Sequence, residues 1–210
     1  MTFGPPECDQ TLRGALATGA DKAIRVEATD DQLDGDLVAR GLAKLAQELK
    51  VDLILLGDQT ADAETLQVGQ LAAEYLGWPQ ATFAGHLENE ANAALKIGRT
   101  VDGGVLWMRV KLPAVVAVDD RVVMPRNVVS APTPATHKYQ HGIRFAPLPA
   151  IMQAKKKPLE VKKLAELLAG DVAPKLKYVG FEAPAARKAG QKVKDVAELV
   201  SKLKNEAKVL

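Results

Sequence analysis

The segment that most constrains the fold is the apolar run 51–56, which ends at Gly57 and lies between two segments of helical periodicity. A continuous apolar run between turn residues is typical of a parallel strand buried on both faces. The preceding segment, 34–50, and the following one, 67–76, each place their apolar residues on one helical face. This alternation predicts the α/β class, with a parallel sheet covered by helices.

The rest of the chain extends this alternation and adds an antiparallel hairpin. Two alternating segments, 94–101 and 105–111, flank a turn at Asp102-Gly103-Gly104, whose glycines accept positive φ. Prolines punctuate 122–149, which predicts a long loop because proline removes a backbone donor and fixes φ. The other predicted elements are helices over 10–18, 164–168 and 195–208 and strands over 23–27, 113–118 and 178–182.

We divide the chain into two parts on this pattern. Residues 1–153 form the expected α/β nucleotide-binding domain, which includes the long loop. Residues 154–210 begin with a basic linker and are expected to form an extended C-terminal arm. Because the last helix is amphipathic and Lys-rich on its outer face, this arm is expected to dock on the body of the chain itself or to embrace a partner.

Composition narrows the class of protein. The 210 residues contain 28 Lys and Arg against 26 Asp and Glu, a net charge of +2, and only 4% aromatic residues. A chain of this kind is not expected to bind nucleic acid through bulk charge or base stacking. No apolar run approaches the ~18 residues of a membrane span, and the first residues lack the pattern of a signal peptide. We therefore expect no membrane insertion and a cytoplasmic protein, or one of the mitochondrial matrix in a eukaryote.

The candidate binding site is the loop between the apolar strand and the next helix. Ligands of open α/β sheets bind at the carboxyl ends of the parallel strands, and amides at a helix N-terminus can cradle a phosphate. The hydroxyl of Thr60 and the amides of Gln59 and Gln67 would add to that cradle. A second interpretation stays open, in which Asp62 and Glu64 only favour the start of the helix through its dipole.

Residue patterns for self-sufficient catalysis are not found in the sequence. It contains no Walker sequence, no Gly-x-Gly-x-x-Gly, no His-Glu-x-x-His and no Gly-x-Ser-x-Gly. His137 and His141 are four residues apart but lie among prolines, which favours loop histidines over a metal site. Cys8 has no base near it in the sequence and is interpreted as a packing residue. These observations favour a binding protein over an enzyme.

Stretches spread over nearly the whole chain carry a family pattern. The most specific is 148–157, Leu-Pro-Ala-Ile-Met-Gln-Ala-Lys-Lys-Lys. The others, in the family's order and with similar spacing, are 11–21, 52–59, 67–70, 78–80, 111–116, 189–193 and the final amphipathic helix. Together they resemble the beta subunit of the electron-transfer flavoprotein family, whose fold is a parallel-sheet domain like that of the adenine nucleotide alpha hydrolases.

The resemblance implies a heterodimer with an alpha subunit that holds most of the FAD site, while this subunit holds a structural AMP. Electrons from flavin dehydrogenases, such as acyl-CoA dehydrogenases, would reach the FAD and pass to a quinone oxidoreductase. The nucleotide-binding residues that it implies are Phe3, Gly57, Asp58, Gln59, Thr60, Ala61, Asp62, Ala63, Glu64, Thr65, Leu66, Gln67 and Val68.

The resemblance also implies a docking segment for the dehydrogenase. Its residues are Leu148, Pro149, Ile151, Met152, Lys155, Lys156 and Lys157. Leu148, held in an exposed loop between Pro147 and Pro149, is the expected apolar anchor, because a pre-ordered side chain loses little entropy on binding. The lysines are expected to aid encounter with the partner.

The chain departs from the family pattern in three places. Residues 2–5 resemble the end of the family's second strand, so the family's opening strand has no counterpart in this sequence. We expect either that the start of the chain is shortened or that a partner fills the place of that strand. Asp58 stands where the family commonly has a basic residue, and Val68 where a small hydroxyl is usual, so phosphate binding is expected to be weaker. Residues 127–143 form an insertion that is expected either to alter which dehydrogenase is accepted or to abolish docking.

An alternative function is a stand-alone adenine-nucleotide-binding α/β protein, either a hydrolase or a nucleotide sensor. This alternative predicts tight ATP or AMP binding by the isolated chain. It leaves the segment 148–157 unexplained.

Overall fold

The computed structural model describes residues 1–61, 64–90, 93–124, 128–130, 136, 144–177, 179–186, 190 and 192–210. The chain forms two compact units, residues 1–177 and residues 178–210. The predicted boundary at 153/154 therefore falls inside the first unit. The reason is a strand at Leu159–Lys163, which pairs with the strand Ala23–Glu27.

The described elements alternate between strands and helices, as the sequence predicts. The strands are β1 (Thr2–Gly4), β2 (Ala23–Glu27), β3 (Leu53–Gly57), β4 (Gln80–Glu90), β5 (Ala94–Val101), β6 (Gly104–Lys111), β7 (Ala114–Val118), β8 (Val128–Ser130) and β9 (Leu159–Lys163). The helices are α1 (Cys8–Thr18), α2 (Gly35–Leu49), α3 (Val68–Leu76), α4 (Leu148–Ala154), α5 (Leu164–Leu167) and α6 (Val196–Asn205), with short 3-10 turns at Asp30–Gln32 and Asp120–Val123.

The strands form two sheets instead of the single sheet expected. The first is three-stranded, in the order β1-β2-β9, and all its pairs are parallel. The second contains β3-β7-β4-β5-β6, with β8 beside β4. Its pairs are parallel from β3 to β4 and antiparallel through the predicted hairpin. The α/β class with a parallel core is thus confirmed.

Helix α2 packs against both sheets. On one side Leu45 lies in a buried cluster with Val26 of β2. On the other side Ala46 lies in a cluster with Ile54 of β3 and Val115 of β7. Among the described residues β1 pairs only with β2, and β3 pairs only with β7. The helix therefore packs against two sheets, in each of which one edge strand, β1 or β3, has a single described partner.

The single described partner of β3 explains one error of the sequence interpretation. The run 51–56 was predicted to be buried on both faces, but in β3 only Ile54 is buried and Leu55 is 56% exposed. A strand paired on one side only, with helices covering part of it, leaves such a side chain in solvent. The strand type and its position in the chain are as predicted.

Further differences lie in segments without a clear apolar pattern. The predicted loop 122–149 contains β8 and the first residues of α4. The predicted strand over 178–182 is not formed at residues 179–182, while Tyr178 lies outside the described residues. Like β8, the strands β4 and β9 belong to the sheets although the sequence analysis did not predict them.

The second unit contains α6. Asp195 is its N-cap, and the Asp195 carboxylate accepts a 2.8 Å hydrogen bond from the Glu198 amide. An N-cap carboxylate satisfies one of the amides that a helix leaves unpaired at its start, and the final helix predicted over 195–208 is formed from Val196 to Asn205.

Candidate functional site

The loop that follows β3 lies at the carboxyl ends of two parallel strands. Gly57 ends β3 opposite Val118, the last residue of β7, and the Asp58 amide donates to the Val118 carbonyl at 3.2 Å. Within the loop, the Glu64 amide donates to the Thr60 carbonyl at 3.1 Å. The loop therefore begins where the two strand ends present their backbone, which is the position predicted for a ligand site.

The loop brings together most of the side chains that the sequence analysis proposed. Those exposed to solvent are Gln59, Thr60, Ala61, Glu64, Thr65 and Gln67, with Gly57; those partly buried are Asp58, Leu66 and Val68. Asp62 and Ala63 lie outside the described residues. Glu64 and Leu66 have φ of 47° and 53°, a backbone region that non-glycine residues rarely adopt.

Two helix N-termini meet beside this loop. A Cβ added to Gly35, the first residue of α2, would lie 3.8 Å from Val68 Cγ2 and 4.0 Å from Gln67 Oε1. Asp34 caps α2 by accepting from the Leu37 amide at 2.8 Å. Gln67, the N-cap of α3, makes no such side-chain bond. The first-turn amides of α3 are therefore left for water or for an anion.

The charges around the loop are mixed. Asp58 and Glu64 carry carboxylates at the end where the helix dipole favours an anion. A bare phosphate would be repelled by them, whereas a nucleotide also offers hydroxyl and amino groups that carboxylates can accept from. The geometry suits a neutral or hydroxyl-bearing ligand part beside the two acidic side chains, and a phosphate at the amides of α3.

Phe3 is the one implied nucleotide-binding residue that lies outside the loop 57–68 in the sequence. It packs at the edge of the buried cluster that contains Val26 and Leu45. A Cβ added to Gly41 of α2 would approach Phe3 Cε1 to 2.6 Å. The ring thus occupies the space that the missing side chain at Gly41 leaves, and its role in the described part of the chain is packing.

The expected docking segment is a helix and not a loop. Leu148 is the first residue of α4, Pro147 is its N-cap, and Pro149 lies in the first turn. Proline suits this position because its fixed φ matches the helix and its missing donor would be unpaired anyway. Leu148 is 70% exposed and Met152 62% exposed, and Ile151 is also exposed. The helix therefore presents apolar side chains to solvent.

The lysines after α4 differ in their environment. Lys155 and Lys156 are exposed. The Lys157 ammonium instead donates to the Leu16 carbonyl at 3.0 Å and to the Ala20 carbonyl at 2.6 Å. The sequence analysis treated the three lysines as one charged run, and only the tertiary structure separates the third from the first two.

The sequence analysis did not identify a network of charged groups at the start of α2. Burial alone would raise the pKa of Asp36, but hydrogen bonds from Lys175, Tyr75 and Arg40 outweigh it and hold that pKa below its usual value. The same bond to Asp36 raises the pKa of Tyr75. Arg40 also reaches Asp171 at 2.6 Å. These contacts fasten the segment at 171–175 to α2, and no local pattern could have revealed them.

Other candidate groups show no binding geometry in the part of the chain that is described. No cluster of three or more His, Cys, Asp or Glu residues that could hold a metal ion occurs there. His137 and His141 lie outside that part. Cys8 is partly buried beside Gly4, where an added Cβ would come within 2.6 Å of its sulfur. None of the described helices has the length and apolar character needed to cross a membrane.

The parallel strands, the helices over them and the loop at the strand ends define a Rossmann-like α/β protein. Residues 1–167 match the family described as the electron transfer flavoprotein domain. This chain belongs to the electron transfer flavoprotein family, as its sequence motifs predict.

Relatives across bacteria, animals and plants are similar over the whole chain. Electron transfer flavoprotein subunit beta of Bradyrhizobium diazoefficiens is 44% identical over 210 residues, which cover all of this chain and 76% of the relative. The human subunit beta is 44% identical over 207 residues, covering 97% of this chain and 73% of the relative. The mitochondrial subunit beta of Arabidopsis thaliana is 39% identical over 212 residues, covering all of this chain and 76% of the relative.

Proposed function

We propose that this chain is the beta subunit of a heterodimeric electron transfer flavoprotein. The observation that carries the proposal is the 44% identity over all 210 residues to a protein named subunit beta. In the proposed complex the alpha subunit holds most of the FAD, which supplies the electron-accepting and electron-donating chemistry when bound. This chain contributes binding surfaces. We place the complex in the cytoplasm, or in the mitochondrial matrix in a eukaryote.

The first proposed surface is an AMP site at the loop 57–68. The first-turn amides of α3 would bind the phosphate, because Gln67 does not cap them. Glu64 and Asp58 would accept hydrogen bonds from the sugar or base. Because Gly35 lies close to Gln67, the start of α2 would lie beside the same ligand. The proposed role of AMP is structural, since it would join the N-termini of both helices to the strand ends.

The second proposed surface is the exposed apolar face of α4. Leu148 would enter an apolar pocket of a flavin dehydrogenase, such as an acyl-CoA dehydrogenase, with Met152 beside it. Lys155 and Lys156 would attract an acidic rim on that partner and speed encounter. Electrons would then pass from the dehydrogenase flavin to the FAD of the heterodimer, and onward to a quinone oxidoreductase.

Leu148→Ala tests the docking surface. In the heterodimer formed with an alpha subunit, we expect KM for the flavoprotein to rise about tenfold in an acyl-CoA dehydrogenase assay, because truncating a buried anchor typically costs more than about 1 kcal/mol. The matched control is Leu176→Ala, which truncates another exposed leucine of the same unit. Equal KM values for the two variants would refute the docking surface, as would a parent heterodimer that the dehydrogenase does not reduce.

Gln67→Ala tests the nucleotide site. We expect the purified heterodimer to retain less AMP, measured by chromatography of the nucleotide released on denaturation. Gln70→Ala, one turn further along α3, is the control. The same AMP content in both variants and in the parent would exclude the loop as the nucleotide site, and ATP hydrolysis by the isolated chain would favour the stand-alone nucleotide-binding protein.

A further inference from the structure

We propose that Arg13 and Lys157 form a reciprocal clamp between α1 and α4, and that both are positioning residues for dehydrogenase docking. The inference rests on the proposed docking function of α4. It adds to that function by assigning the orientation of the docking helix to two cations that need not touch the partner.

In the first half of the clamp, Arg13 of α1 binds the C-terminal end of α4. The Arg13 Nη1 atom donates to the Ala154 carbonyl at 2.8 Å and to the Lys157 carbonyl at 2.7 Å. Carbonyls at a helix C-terminus have no partner within the helix, and a cation there is favoured by the helix dipole. The guanidinium therefore binds the carbonyl of the last residue of α4, which also accepts from the Lys157 amide at 3.2 Å, and a second carbonyl three residues beyond the helix.

In the second half of the clamp, Lys157 binds the C-terminal end of α1. The Lys157 Nζ atom donates to the Leu16 carbonyl at 3.0 Å and to the Ala20 carbonyl at 2.6 Å. The Arg13 guanidinium thus binds α4 at its last residue and just beyond it, and the Lys157 ammonium binds α1 in its last turn and just beyond it. Hydrogen bonds from ionised donors are about twice as strong as neutral ones. The two halves of the clamp reinforce each other because each fixes the segment that carries the other cation.

Apolar packing lies between the two halves of the clamp. Ala154 is 1% exposed and packs in a cluster with Leu12 and Leu16 of α1. Ile151, in the middle of α4, lines a groove with Gln10 and Thr18 of α1, so α4 meets α1 through its middle and its C-terminal end. The orientation of the exposed N-terminal end of α4 is therefore set by how its middle and its C-terminal end are anchored.

This arrangement gives the clamp a function beyond stability. A docking side chain on a helix that is already fixed loses less freedom on binding than one on a helix that must first be ordered. If the clamp is opened, only a fraction of the molecules hold α4 in the docking orientation, and the apparent affinity falls by that fraction. Lys157 would then act by position, whereas the exposed Lys155 and Lys156 would act by long-range charge.

The test compares Arg13→Met with Arg40→Met in the heterodimer with its alpha subunit. Both variants remove a partly buried guanidinium that binds a distant carbonyl, but Arg40 binds the one at Asp171, away from α4. With an acyl-CoA dehydrogenase that reduces the parent, we expect Arg13→Met to raise KM for the flavoprotein about fivefold at unchanged kcat, as the loss of docking-ready molecules requires. We expect Arg40→Met to leave KM at the parent value.

Lys157→Met distinguishes a positioning role of Lys157 from attraction of the partner by its charge. It also provides the test if the Arg13→Met heterodimer does not assemble. We expect it to raise KM by the same factor at low and high ionic strength, and Lys156→Met to alter mainly the salt dependence. Hydrogen exchange at the amides of 151–157 should accelerate in Arg13→Met and Lys157→Met only.

The outcomes distinguish this inference from the proposed function. If Leu148→Ala raises KM while Arg13→Met and Lys157→Met leave it unchanged, the docking surface stands and the clamp has no positioning role. If Leu148→Ala leaves KM unchanged, the docking surface is refuted. A KM for Lys157→Met that returns to the parent value at high salt would overturn the positioning role of Lys157.

Discussion

Gly41→Ala is expected to destabilise the protein although it replaces glycine in the middle of a helix. In an unobstructed helix this change stabilises by about 1 kcal/mol, because alanine loses less backbone entropy on folding. At Gly41 the new Cβ would stand 2.6 Å from Phe3 Cε1 and 2.7 Å from its Cζ. Real Cβ atoms do not approach other atoms so closely, so the ring or the helix has to move.

The magnitude follows from two opposing contributions. Overpacking a well-packed site typically costs about 1–3 kcal/mol, and the gain in helix propensity offsets about 1 kcal/mol of it. Phe3 is partly buried, so part of the strain is relieved by a shift of its ring. We therefore expect a net loss of about 1 kcal/mol, which lowers Tm by roughly 2–4 °C in a domain of this size.

Gly14→Ala is the matched control. Gly14 lies in the middle of α1, is exposed, and has no atom within 4 Å of an added Cβ. There we expect the ordinary gain of about 0.5–1 kcal/mol. The measurement is thermal unfolding followed by far-ultraviolet circular dichroism, with the parent, both single variants and Gly41→Ala combined with Phe3→Leu.

The double variant tests the cause. If the Phe3 ring is what opposes the new methyl group, the cost of Gly41→Ala should shrink or vanish when Phe3 is replaced by leucine, which appears as a coupling between the two changes. Equal stabilisation by Gly41→Ala and Gly14→Ala would refute the reasoning. So would a cost at Gly41 that is the same with either residue at position 3.

Three further predictions concern the first unit. Leu45→Ala should lower the free energy of unfolding by about 2–5 kcal/mol, because Leu45 is fully buried where α2 meets β2; a loss below about 1 kcal/mol in urea denaturation would contradict this. Asp9→Asn should cost about 1–3 kcal/mol, since it deprives the buried Arg25 of the nearer of its two carboxylate partners, Asp9 at 2.7 Å, and leaves Glu27 at 3.9 Å; an unchanged urea midpoint would disprove it. Asp36→Asn should lower Tm at neutral pH but not at acid pH. Because the pKa of Asp36 is lowered in the folded state, its ionised form stabilises the fold at pH values above the ordinary carboxyl pKa. That stability is lost as the pH falls through the folded-state pKa of Asp36. A Tm difference that is independent of pH would count against that network.

The sequence predicted those elements whose residues carry their own pattern. The hairpin β5–β6 alternates between two faces and turns at a glycine with φ of 85°, so its position follows from local chemistry. The same holds for α2, which lies within the predicted helical segment 34–50 and buries Leu37 and Leu45. In these segments local preference and tertiary structure agree.

The missed strands lack such a pattern. In β9 the sequence Leu-Glu-Val-Lys-Lys is mostly exposed, and it is a strand because β2 offers a backbone edge to pair with. In β4 the register shifts between Ala84 and His86, which interrupts the alternation that marks a strand. The division at residue 177 and the separation into two sheets follow from the same long-range pairing, which local pattern does not contain.

The same distinction between local pattern and long-range contacts applies to the candidate site. The sequence alone determined the α/β class, the loop at the end of β3, and the apolar segment that became α4, because periodicity and turn chemistry act over a few residues. Only the tertiary structure decided that Phe3 fills the space at Gly41, that α4 is a helix held at one end, and that Lys157 faces inward. Its ammonium meets a carbonyl 141 residues away in the chain, and contacts of that range exist only once the chain has folded.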